Sequence, residues 1–139
     1  MVNGSKERRL MHDLIEYAEL VRARINLLEK RIREIQSNLE QIESDFEERS
    51  GVEELEEFFS RLNDSQERLE KIKRLIGRVD EYIQELEIIK GRSEVYDELL
   101  ENTSTLLKIV EKDLDNIEIE TDELIEDIES LREELEESD

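Results

Sequence analysis

The sequence predicts an all-α fold: three long antiparallel helices in an up-down-up, heptad-packed bundle, elongated and forming one domain over residues 1–139. Three observations predict it. Apolar residues recur at alternating spacings of three and four along nearly the whole chain, the pattern that packs helices together by inserting knobs into holes. The phase of that repeat breaks twice, each time beside a glycine suited to ending a helix. No proline occurs, which suits long uninterrupted helices.

The first element is an unbroken a/d seam: Met11, Leu14, Ala18, Val21, Ile25, Leu28, Ile32, Ile35, Leu39, Ile42 and Phe46. Continuing it would bury Arg49 and Glu53, so a helix over about 5–48 is expected to stop there. Gly51 supplies a helix stop, and Ser50 with Glu53 matches a capping box for the next start.

The second seam, in a new phase, runs through Leu55, Phe58, Leu62, Ser65, Leu69, Ile72, Ile76, Val79, Ile83 and Leu86, predicting a helix over about 52–90. Gly91 then ends that helix and Ser93 caps the third, expected over about 93–138. Its seam is Ser93, Tyr96, Leu100, Thr103, Leu107, Val110, Leu114, Ile117, Thr121, Leu124, Ile128, Leu131 and Leu135. At 1.5 Å per residue each helix would be roughly 60–70 Å long. The weak helix formers of "LNDSQE" and "ENTSTLL", and Gly77 at an exposed b position, predict kinks or local softness rather than extra turns. The architecture resembles a spectrin repeat in helix count and heptad packing, although the helices are long for one repeat and tryptophan is absent. The likeness implies a fold and no function.

Composition excludes several functions. With no cysteine there is no disulfide framework or thiolate metal site, which fits a cytoplasmic protein. No apolar run reaches the roughly 18 residues a membrane span requires, and "MVNGSKERRLMHD" has no apolar signal-peptide region. His12, the single histidine, can join Glu16 at i+4, but a closed metal site needs three or four ligands. "DLDNIEIETDE" opens like a calcium loop at Asp113 and Asp115, then places Ile117 and Glu118 where a ligand and a glycine belong. The four glycines make no phosphate loop, and no cofactor, metal or catalytic residue is expected. The basic clusters "VRARINLLEKRIR" and "RLEKIKRLIGR" lack interleaved aromatics, and a net charge of −21 repels nucleic acid and anionic membranes.

Two surfaces remain as candidates. Apolar residues at g positions (Leu10, Tyr17, Leu75, Tyr82, Ile89, Leu99, Leu106) widen the core stripe at one end, as three-helix packing demands. Leu20, Leu27, Val95 and Ile109 fall at c, too far round to be buried with them, and form a candidate interaction patch for a protein partner or a homodimer. Acidic excess concentrates in the last segment: residues 91–139 hold 4 basic and 19 acidic groups. Register-setting pairs between Arg24 and Arg31 and Glu111 and Glu118 would use part of it. Glu126, Asp127, Glu129, Glu133 and Glu134 are the candidate acidic surface, and such charge runs are usually solvated helix faces. The expected function is a non-enzymatic structural or scaffold coiled coil acting through protein–protein interaction. An acidic module for a basic protein, as nucleic-acid mimic or chaperone, is the second reading. A coiled-coil segment of a larger protein is the third.

Overall fold

The computed structural model describes residues 2–47, 52–89 and 93–137. They form three helices, α1 (Val2–Asp45), α2 (Val52–Ile89) and α3 (Ser93–Glu137), packed as a three-helix bundle with contacts between all pairs. The first helix ends three residues before the predicted 48: the Phe46 amide donates to the Ile42 carbonyl at 3.0 Å, closing the final turn at the last seam residue. The turn residues Ser50, Gly51 and Gly91 lie outside the described residues. Helices α2 and α3 run without a break through Asn63–Ser65, Gly77 and Asn102–Thr105.

The heptad seam is the core. Among residues whose burial is described, every buried side chain is a seam residue, and Met11, Phe46, Ile83 and Leu100 are the seam residues only half-buried. The three buried polar side chains, Ser65, Thr103 and Thr121, are also on the seam. Thr103 donates to the Leu99 carbonyl at 2.7 Å and Thr121 to the Glu118 carbonyl at 3.0 Å. Each hydroxyl is thus satisfied within its own helix, as threonine readily is. This is how "ENTSTLL" stays helical while placing a polar residue in the core.

The bundle divides into two compact units, each taking a length of all three helices. The first comprises Met1–Ile25 and Lys71–Leu114, the second Asn26–Glu70 and Asp115–Asp139. In the first, Arg22 pairs with Asp80, both at e positions. In the second, Gln66 donates to Gln36 at 3.1 Å, again e to e. Along the α2–α3 edge of the second unit, Arg61 binds Asp127 at 2.8 Å and Arg68 binds Glu120 at 2.5 Å, one heptad apart and g to g. Arg61 also lies over the Phe58 ring, 5.8 Å from its centroid.

Between α1 and α3, Arg31 reaches Asp122 at 2.6 Å, one turn beyond the expected Glu118. The b and e positions share the α3 edge that faces α1, so Asp122 and Glu118 lie on the same edge. These pairs are partly exposed, and each contributes less than about 1 kcal/mol. They fix register more than they add stability.

Gly77 gives a direct stability prediction. A Cβ added there meets nothing within 4 Å, so alanine gains helix propensity with no steric cost. Gly77→Ala is expected to stabilise the protein by about 0.5–1 kcal/mol. Urea unfolding checks it, and a lowered midpoint would contradict the open surroundings of that position.

Candidate interaction surfaces

The four c-position residues are all solvent-exposed: Leu20 66%, Leu27 69%, Val95 62% and Ile109 49%. The ion pairs show which edge each one borders. Helix α1 turns its e positions to α2 and its g positions to α3, while α2 and α3 share g positions. A c residue lies beside g on the helix surface. Leu20 and Leu27 therefore border the α1–α3 edge, and Val95 and Ile109 border the α2–α3 edge. Leu20, Val95 and Ile109 belong to the first unit and Leu27 to the second.

The g positions divide differently. Tyr17, Leu75, Tyr82, Ile89, Leu99 and Leu106 are half-buried, completing the core stripe as three-helix packing requires, whereas Leu10 is 41% exposed. Two exposed apolar residues fall outside these groups: Ile88 at 83% and Ile119 at 56%, both at f, the most outward position. Their signal in the sequence is a lone apolar side chain opposite the seam. Of the seven large apolar residues exposed in this way, five (Leu10, Leu20, Ile88, Val95, Ile109) belong to the first unit.

Charge divides along the same boundary. The first unit holds 13 basic and 14 acidic residues, net −1, and the second 7 basic and 27 acidic, net −20. The acidity is thus concentrated in the second unit, where residues 115–139 supply −12 (1 basic, 13 acidic) and residues 26–70 the other −8 (6 and 14). Even with all seven cations of that unit paired, 20 carboxylates would have no cation there. Glu126, Asp127, Glu129, Glu133 and Glu134 are exposed within it. They occupy f, g and b positions, so they spread round the helix instead of forming one row. Asp127 is held by Arg61 and so also helps to fix the α2–α3 register.

Among the described residues, two grooves, one in each unit, open beside small seam residues. In the second, a cavity of about 450 Å³ lies over Ser65, with Leu124 as its apolar wall and Arg61, Arg68 and Glu120 along its sides. In the first, a cavity of about 360 Å³ lies by Ala18, between Arg22, Asp80 and Ile83. A short side chain where the heptad expects a large one leaves this volume unfilled. Both grooves are open to water, which weakens the electrostatic interactions within them. His12 is exposed and lies 3.3 Å from Glu16, and among the described residues no three metal-binding side chains converge. Among the same residues, no helix is long and apolar enough to cross a membrane.

Fold and surface define the class: an all-helical three-helix bundle with a charge-balanced unit bearing exposed apolar residues and a strongly acidic one. Compared with protein-family models, curated proteins and solved structures, the chain gives no match.

Proposed function

We propose that this chain is a non-enzymatic scaffold that works by presenting surfaces to other proteins. The segregation of its surface carries the reading. One unit combines near-zero net charge with five exposed large apolar side chains, while the other holds nearly all of the net charge. Apolar side chains on a charge-balanced surface suit a contact that excludes water. A strongly acidic surface steers basic partners and repels anionic ones. The chain contains no cysteine, so its stability owes nothing to an oxidising compartment, and we place its action in the cytoplasm.

The surplus of 20 carboxylates favours a second reading, in which the acidic unit binds a basic protein as a nucleic-acid mimic or chaperone. Site-specific photo-crosslinking in the native cell tests both. A photoreactive residue at Val95 reports on the apolar surface and one at Glu129 on the acidic unit. Discrete protein adducts from Val95 are expected. Adducts from Glu129 that disappear on converting Glu126, Asp127, Glu133 and Glu134 to their amides would support the basic-partner reading. Absence of protein adducts at both positions would overturn the scaffold proposal.

A further inference from the structure

The groove over Ser65, in the second unit, contains a polar group that the fold does not use. Ser65 is 2% exposed and stands on the seam. Thr103 and Thr121, the other buried polar seam residues, donate their hydroxyls to carbonyls of their own helix. Among the described residues, none bonds the Ser65 hydroxyl. Among the same residues, no side-chain oxygen sealed from solvent lacks a partner, so the Ser65 oxygen opens into the groove that it lines. A hydroxyl held in the core without a protein partner has bonding capacity left for whatever enters the groove.

The walls of the groove are charged. Arg61 is held by Asp127 at 2.8 Å and Arg68 by Glu120 at 2.5 Å, which occupies both cations. Asp64, Glu67 and Glu123 also line the groove, and among the described residues no cation pairs with them. Asp64 and Glu67 stand three residues apart on α2, as do Glu120 and Glu123 on α3. Residues at that spacing have Cβ atoms about 5–6 Å apart on one helix face. Among the described residues no three metal-binding side chains converge, so these carboxylates are too dispersed to share one metal ion. An extended cation can meet them one at a time. The cavity, about 450 Å³, is large enough for a small organic molecule, and Leu124 gives it an apolar wall.

We infer that this groove binds a linear aliphatic polyamine. The ammonium groups donate to the Ser65 hydroxyl and to the carboxylates of Asp64, Glu67 and Glu123, and the methylene segments lie against Leu124. The interval between successive nitrogens in such a chain is comparable to the spacing of the carboxylates along each wall. The net −20 of the unit raises the local concentration of any polycation. Ser65 and Leu124 distinguish the groove from the rest of that surface, because they offer a hydroxyl and an apolar wall between the charges. The site takes a small ligand, and so goes beyond the protein-binding surfaces proposed above.

Calorimetric titration of the whole chain with spermidine, a triamine, provides the test. It is run at about 0.15 M salt, where a Debye length of about 8 Å screens diffuse attraction. A saturable step of one triamine per chain is expected. Ser65→Leu fills the groove with the size of side chain the seam expects and leaves the net charge at −21. It should weaken binding by about tenfold or more. Asp64→Asn with Glu123→Gln should weaken binding by a similar factor. Glu133→Gln with Glu134→Gln, which removes the same charge elsewhere in the unit, should change it by less than about twofold. Circular dichroism and urea unfolding establish that each variant keeps its fold. A trilysine peptide of equal charge separates a free polyamine from the lysines of a protein, and should bind more weakly because its charges sit on separate branches. Affinity indifferent to Ser65→Leu, equal losses from the two carboxylate pairs, or tighter binding of the peptide would overturn the assignment.

Discussion

Replacing Leu107 by alanine is expected to cost about 2–5 kcal/mol, whereas replacing Ile88 by alanine should change stability by less than about 0.5 kcal/mol. Both residues are large and aliphatic, and both belong to the first unit. Their heptad positions separate them: Leu107 occupies an a position and is 0% exposed, and Ile88 occupies f and is 83% exposed. Truncating Leu107 removes its packing partners and leaves a cavity that rigid neighbouring helices can only partly close. Truncating Ile88 removes atoms that already face water. Urea unfolding is the appropriate measurement, since guanidinium would screen charges as it denatures. Similar costs at the two sites would mean that the seam is not the core.

The seam was readable in the sequence because a coiled-coil core is strictly periodic. A phase break marks each chain reversal without help from any turn residue, and all three predicted helices are found. Residue-level exceptions are readable too: Ser65, Thr103 and Thr121 stand out as polar entries in apolar rows, and all three are buried. The periodicity does not show that Ser65 opens a groove flanked by Arg61 and Arg68, because this depends on what faces it from α3.

Charge was harder to read. Counted along the chain, residues 1–50, 51–90 and 91–139 carry −2 (9 basic, 11 acidic), −4 (7 and 11) and −15 (4 and 19), which points to the third helix. Antiparallel packing regroups the charges. The later parts of α1 and α3 join the early part of α2, so Glu53, Glu54, Glu56 and Glu57 enter the same unit as Glu133 and Glu134. Linear counting averages over this boundary, which crosses all three helices. The heptad letter of a c residue likewise shows that it is exposed but not which neighbouring edge it borders. The identity of the ion pairs across each edge supplies that information.

Raising salt from about 10 mM to 0.5 M is expected to raise the melting temperature by roughly 5 °C or more, with the second unit as the source of the effect. Its 27 carboxylates repel one another across a small surface with seven cations to offset them. Helix dipoles add to the strain. That unit contains the C-terminal ends of α1 and α3, neither of which has a basic residue in its last turn. Glu133, Glu134, Glu136 and Glu137 place negative charge near the negative end of the α3 dipole, an unfavourable arrangement of about 0.3–1 kcal/mol per group at low salt. The start of α2, also in this unit, partly compensates, because Glu53 and Glu54 lie at a positive dipole end. Converting the four α3 glutamates to glutamine should therefore stabilise the protein at low salt, by about 1–2 kcal/mol allowing for solvent screening. The gain should largely vanish at 0.5 M salt, where the Debye length is shorter than the spacing of most of these charges. Thermal unfolding of both proteins at both salts gives a two-by-two comparison. Destabilisation by the amides at low salt would show that these carboxylates make stabilising contacts, and equal melting temperatures at the two salts would show that repulsion does not limit this fold. The predicted result would mean that the acidic unit is held against a standing electrostatic cost, which binding a basic partner would relieve.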